Sequence, residues 1–311
     1  SFGKSSHANP QLFLYKNVRH NIKIIPIQKR MNIKEYNLSN NTENDFLWKF
    51  VTIEKFLSII LNSKLYFTRI DCFEDVQEGI SLELLLLNHL KDNLMTLAPF
   101  NQLSQVHSID MFPKETDGLI DKLKETQKYN FANCWYLSKN NIESVAMWNL
   151  YSQPNGMALN IKYSKFYDKI LKSKFDSRVN LKTLTFGRIK YVNFQDPYEL
   201  NRIKKEIENT AFIKDQSFIH ENEFRIVAEI EKYENKPFSP KKGFSKYKQK
   251  EFYDRKSQIY GLDISLNGFL DYEFEIVFHP KITSWIKKDL IKILNKFKIP
   301  YKTRDSKLKL N

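Results

Sequence analysis

Polar and apolar side chains alternate along HENEFRIVAEI, residues 220–230. A strand sends successive side chains to opposite faces. Phe224, Ile226, Ala228 and Ile230 then share one face, while Glu221, Glu223 and Arg225 share the other and lead into Val227. Two carboxylates and a guanidinium are expensive to carry into an interior. The pattern therefore predicts either a structural charge network or the lining of a cleft.

The same reading divides the rest of the chain. Residues 1–44 are polar and irregular, with weak strand character at IKIIPI (22–27). FLWKFVT (46–52) reads as a strand, IEKFLSIILNS (53–63) as a helix with Thr52 at its N-cap, and KLYFTRI (64–70) as a strand. DCFEDVQEG (71–79) is a polar loop, and 80–130 is helical with breaks near Pro99 and Pro113. FANCWYLS (131–138) is a strand, SVAMWNLYS (144–152) a helix, QPNG (153–156) a turn and MALNIKYS (157–164) a strand. LKTLTFGRIKYVNF (181–194) is one or two strands, and 197–215 is a helix opened by Pro197. Residues 232–256 form a lysine- and proline-rich surface excursion. QIYGLDIS (258–265) and YEFEIVFHP (272–280) are strands, and 284–299 is an amphipathic helix. Strands and helices mix without regular βαβ alternation. The expected fold is α+β: a mixed, largely antiparallel sheet with flanking helices. One domain is expected over 45–311, with a helical insertion at about 80–130.

Composition narrows the function. The chain has 311 residues, 41% of them hydrophobic, enough for a sizeable core. Cys72 and Cys134 have no metal-like spacing, so a reducing, cytoplasmic setting is expected. No apolar run reaches the roughly 18 residues of a membrane span. Only eight glycines occur, and neither a P-loop nor a Rossmann phosphate motif is present. The net charge is +14; from Lys232 onward 19 Lys and Arg stand against 9 Asp and Glu. That excess suits nucleic acid as a partner of the C-terminal part, or reflects a lysine-rich composition.

Four motifs in order support a family resemblance: LWKFVTIEKFLSIILNSKLYFTRIDCFEDVQEG, NCWYLSKNNIESVAMWNLYSQPNGMALNI, HENEFRI and FEIVFHPKITSWIKKDLIKIL. Over roughly 47–308 the chain resembles the prokaryotic family called domain of unknown function 2971. Arg69 departs from that pattern, where a small polar residue is usual. The family name implies a fold unit but no activity. IEKFLSIILNSKLYF is also similar to the opening of ADP-ribosyltransferase-like proteins that act on nucleic acid. Those folds carry a catalytic Glu on a late strand and hold NAD without a glycine-rich loop, which is an analogy of fold rather than membership.

Two classes of function follow. In the enzyme reading, ADP-ribose passes from NAD to nucleic acid or protein. Glu223 stabilises the oxocarbenium, Glu221 polarises the acceptor, Arg69 or Arg225 holds phosphate, and Trp148 and Tyr151 stack on a ring. In the other class the chain is a non-catalytic nucleic-acid-binding or regulatory module, for instance in phage defence. Each residue also has a structural reading: an Arg225–Glu ladder, a core Trp148–Tyr151 pair, a buried Cys134 and a surface His220. The acidic loop with Asp71, Glu74, Asp75 and Glu78 lacks EF-hand spacing and reads as a solvated loop rather than a metal site.

Overall fold

The computed structural model describes residues 32–39, 42–87, 126–231, 259–265 and 273–309. The IKIIPI segment, most of the helical insertion and the excursion at 232–256 lie outside the described residues. The architecture is α+β, with a mixed and mostly antiparallel sheet. Its strands are β1 (Asn32–Tyr36), β2 (Phe46–Val51), β3 (Lys64–Arg69), β4 (Asn130–Ser138), β5 (Met157–Lys162), β6 (Lys174–Phe175) and β7 (Leu181–Arg188). Among the described residues, a short β8 (Lys190–Val192) and β9 (Ile213–Asp215) form a separate parallel pair. β10 (Glu223–Ile230), β11 (Gly261–Ser265), β12 (Glu275–Phe278) and β13 (Lys302–Asp305) complete the set. The main order is β1-β7-β10-β4-β2-β5-β12-β13, with β3, β11 and β6 branching from β4. The β1–β7 and β12–β13 pairs are parallel.

The branch arises because β4 changes partner along its length. Phe131 and Ala132 pair with β3, whereas Tyr136, Leu137 and Ser138 pair with β2. Between them the ladder is replaced by side chains. Asn133 donates to the Tyr66 carbonyl at 2.7 Å, and the Lys49 ammonium donates to the Cys134 carbonyl at 2.9 Å. Polar groups inside a fold need partners, and here a lysine and an asparagine supply what a strand would. Burial, the dominant influence, pushes the Lys49 ammonium down to about 8.

Helices cover both faces. α1 (Ile53–Asn62), α3 (Tyr163–Leu171) and α5 (Ser284–Lys296) lie on the face of Phe224, Ile226, Ala228 and Ile230. Phe56, Ile59 and Ile60 of α1, and Tyr163, Phe166 and Ile170 of α3, are the buried stripes. α2 (Val145–Tyr151) packs on the opposite face, where Trp48, Phe50, Met147, Trp148, Ala158 and Val277 form a second cluster. α4 (Pro197–Ile203) buries Leu200 and Ile203 against Leu82, Leu84 and Leu85 of the helical stretch 82–87.

Several local expectations change. Thr52 occupies the N-cap of α1 but its side chain makes no cap hydrogen bond. α4 does begin at Pro197, capped by Asp196, but it ends at Ile203 rather than near 215. Asn209 accepts from the Ala211 N–H and starts a separate 3-10 turn that leads into β9. The strand expected through Tyr163 and Ser164 ends at Lys162, where α3 takes over. Glu221 is not on the strand. It closes the 3-10 turn Gln216–Glu221, Asn222 follows in the left-handed region (φ 36), and β10 starts at Glu223. Asparagine tolerates that conformation. Its side chain also donates to the Leu137 carbonyl, fixing the reversal against β4.

Candidate functional site

The polar face of β10 starts with Glu223 and Arg225, which alternation puts side by side. Across the ladders, Arg225 lies opposite Cys134 of β4 and Gly187 of β7. A Cβ at Gly187 would stand 2.7 Å from the Phe212 ring. Its absence lets Phe212 press onto the sheet beside Arg225, whose Nη1 donates to the Ala211 carbonyl at 2.9 Å.

Arg225 is fully buried, and its charge is met on two sides. Nε and Nη2 donate to Glu223 at 2.7 and 2.9 Å, and Nη2 also donates to Glu78. Glu78 comes from the loop after β3. Lys214 of β9 enters from the other side, with its ammonium 2.6 Å from Glu221, 3.0 Å from Glu78 and 3.5 Å from Glu223. The Tyr151 hydroxyl at the end of α2 donates to the second oxygen of Glu221 at 2.8 Å. All five charged side chains are buried. Three carboxylates against two cations leave one negative charge in excess. Each of the six carboxylate oxygens faces an ammonium, a guanidinium or a hydroxyl, which is the condition for keeping buried charge in a fold.

Ionisation follows from this geometry. Burial pushes the Glu223 carboxyl up, but the Arg225 guanidinium, its hydrogen bonds and Lys214 outweigh burial and hold it down to about 2. Burial works against the Lys214 charge, and Glu223 and Glu78 reverse that and raise it. Burial and then Glu223 keep the Cys134 thiol protonated, well above its usual range. Burial and then Glu221 raise the Tyr151 hydroxyl.

A cleft of about 540 Å³ opens beside this cluster. Asp75 and Gln77, Asn193 and Gln195, and the run 215–218 form its walls. Phe218 joins the two features: it lines the cleft and stands 4.5 Å from the Lys214 ammonium. Each wall is tied to the cluster or to its neighbour. Glu78 follows Gln77, Lys214 precedes Asp215, and Glu221 ends the turn carrying Phe218. Asp215 accepts from the Phe194 N–H at 3.0 Å and so holds the Asn193–Gln195 wall.

The structure brings four of the six expected residues together: Glu221, Glu223, Arg225 and Tyr151. Trp148 goes elsewhere. It is fully buried, donates to Glu143 at 3.1 Å, and packs edge-on against Phe50 and His279. Tyr151 follows it three positions on along the helix, yet one ring enters the core and the other reaches Glu221. Arg69 is clamped by Asp71 at 2.6 and 3.0 Å, by the Ile259 carbonyl at 3.1 Å and by the Tyr260 ring. His220 is exposed. Lys214 was not legible as a site residue, since a lone lysine in a three-residue strand carries no pattern. Glu78 is an ion-pair partner rather than part of a solvated loop.

No family model matches the chain, and no curated protein and no solved structure matches it either. Among the described residues, no group of His, Cys, Asp and Glu is arranged to hold a metal ion. None of the described helices is long and apolar enough to cross a membrane.

Proposed function

We propose that the chain is a non-catalytic recognition module whose working surface is the cleft at 75–77, 193–195 and 215–218. The observation that carries this reading is the saturation of the charge cluster. Stabilising an oxocarbenium or polarising an acceptor needs a carboxylate oxygen turned toward the ligand. Here Glu221 and Glu223 spend their oxygens on Lys214, Arg225 and Tyr151, and those contacts pin two of the cleft's walls. A volume of about 540 Å³ lies within the usual range for small-ligand sites. The cluster pre-organises such a site rather than reacting in it.

The test sets this reading against ADP-ribosyl transfer from NAD. The protein is incubated with NAD, and nicotinamide release is followed beside a panel of nucleosides scored by thermal stabilisation. The module reading expects no release above the blank, stabilisation by a cleft ligand, and a melting temperature that drops sharply in Glu223→Gln. Release that falls on the order of 10²–10³ in Glu223→Gln, with the fold intact, would replace it by the enzyme.

A second surface favours nucleic acid as a partner. On α5, Trp285 is exposed, and Lys288, Lys292 and Lys296 follow at helical spacing, all exposed. Asp289 pairs with Lys292 at 2.8 Å and tempers the face. Retention of single-stranded DNA at low salt, lost steeply as salt rises and lost in Lys288→Glu/Lys296→Glu, is the expected result.

A further inference from the structure

The segment from Lys302 to Lys309 lies on the sheet edge much as a bound peptide would. Among the described residues β13 ends the main strand order, and it pairs in parallel with β12, Glu275–Phe278 against Lys302–Asp305. No residue from 302 to 309 is fully buried. The groups that the segment touches are: Glu143, Trp48 and Val277. The Arg304 guanidinium stands 5.4 Å from the Trp48 ring and donates to Glu143 and Glu275, each at 2.8 Å. The Ser306 hydroxyl and the Lys307 N–H donate to Glu143, and the Ser306 N–H reaches the Phe278 carbonyl at 3.2 Å. Leu308 packs on the cluster that contains Trp48, Trp148 and Val277. Main-chain pairing on an edge, with alternate side chains received by the body, is how an extended peptide is recognised.

The receiving surface cannot stand empty. Without Arg304, Ser306 and the Lys307 N–H, Glu143 keeps only Trp148 Nε1 of its four donors. A buried carboxylate stripped of its cation is costly, and β12 would become a bare sheet edge. A segment that leaves its own body must therefore be replaced by one with the same side chains in the same register. A second copy of this chain carries one. The connection to be opened is 297–301, between α5 and β13. In it Lys298 has φ 52, in the left-handed region that a side chain adopts only at a cost, and Pro300 follows two positions on. Short hinge loops under strain invite exchange of the element beyond them.

We propose that two copies of this chain exchange their 302–309 segments, each laying its own on the β12 edge and Glu143 of the other. The contacts of Arg304, Ser306 and Leu308 are remade across the two copies, so the connection sets the balance. Exchange releases the left-handed turn at Lys298. It breaks the bonds of the Lys298 and Ile299 N–H groups to the Asn295 and Leu294 carbonyls, both at 3.0 Å, and that of the Tyr301 hydroxyl to Asn295 at 2.9 Å. Asn295 and Lys298 are exposed, so water takes over their bonds. Phe297, with 54% of its surface exposed, lies in the same connection and offers apolar surface where the two copies meet. Association also costs freedom of motion, so the exchanged form gains ground as protein concentration rises.

The test uses the unaltered chain. Monomer grown in natural nitrogen and monomer grown in heavy nitrogen are mixed, concentrated and separated by gel filtration. A carbodiimide then couples Lys287 of α5 to Asp305 of β13, whose ammonium and carboxylate stand 2.5 Å apart on opposite sides of the connection. A dimer should form whose share rises with concentration. Its coupled Lys287–Asp305 peptides should include light–heavy pairs, whereas those of the monomer should be light–light or heavy–heavy. Lys298→Gly removes the cost of the left-handed turn in the monomer and should lower the dimer association constant about tenfold or more, because two such turns are released in each dimer. Lys298→Val makes that turn costlier and should raise the constant. Monomer at every concentration, a dimer without light–heavy pairs, or a dimer share indifferent to both Lys298 variants would overturn the proposal.

Discussion

Glu143 and Glu223 are both buried carboxylates that hold an arginine, and their surroundings differ in one respect. Glu143 accepts from four donors: Trp148 Nε1 at 3.1 Å, Arg304 Nη1 at 2.8 Å, the Lys307 N–H at 2.9 Å and the Ser306 hydroxyl. Three of the four are neutral, and the Arg304 side chain keeps 21% of its surface in water while also binding Glu275 at 2.8 Å. This knot ties the end of the chain to the base of α2. Glu223 depends on cations instead, and its arginine has no exposed surface at all. A charge that loses its partner beside water rehydrates; one that loses it inside the fold cannot. The Glu143 knot therefore behaves as a latch, and the Glu223 cluster as an all-or-none assembly.

The sharpest way to break this comparison is Arg225→Leu. It leaves Glu78 and Glu223 with Lys214 alone, and the expected cost is about 3–5 kcal/mol in denaturant unfolding. A cost under about 1 kcal/mol would mean that the cluster is solvated or dispensable. Acid titration follows. The folded pKa of Glu223 lies below its unfolded value, so its contribution is fully present above about 4.5 and is lost as pH falls toward about 2. Glu223→Gln should flatten the acid limb of stability through that window, read from unfolding curves at successive pH. An unchanged limb would show that Glu223 is not held down by Arg225. Glu143→Gln should cost less, about 1–2 kcal/mol, because Arg304 retains Glu275 and water. If it costs as much as Arg225→Leu, the distinction between latch and assembly disappears. The smallest effect is expected for Lys34→Ala, which removes an exposed pair with Glu208 at 3.0 Å and should change stability by roughly 0–1 kcal/mol. A larger loss there would show that the edge strand β1 relies on charge rather than on its ladder to β7.

Much of the fold was legible because the signals are local. Alternation along 224–230 identified the apolar face of β10, and the run IEKFLSIILNS (53–63) read as a helix is α1. Pro197 marked a helix start, although not its length, since nothing local distinguishes the end of α4 from the Asn209-capped turn beyond it. α3 was missed although Tyr163, Phe166 and Ile170 repeat at helical spacing, because the preceding run MALNIK alternates so plainly that the strand was carried too far. In the site, Glu223 and Arg225 were placed together by alternation alone. Glu221 was expected beside them for the wrong reason: it reaches the cluster through the left-handed turn at Asn222, not along the strand.

The sequence by itself determined which side chains share a face, where chains of apolar residues must be covered, and that the HENEFRI segment sets its charges opposite an apolar face; whether they form a buried network or line a cleft it left open. Those properties depend on residues two to four apart, and backbone geometry sets them without reference to the rest of the chain. Only the tertiary structure decided who neutralises that charge. Arg225 meets Glu78 across 147 residues of chain, and Tyr151 meets Glu221 across 70. No local periodicity encodes such pairs, because each depends on how the β3 loop, α2 and β9 are stacked on the sheet. The same stacking sends Trp148 into the core and keeps Tyr151 at the cluster, and it turns three unremarkable polar segments into the walls of one cleft.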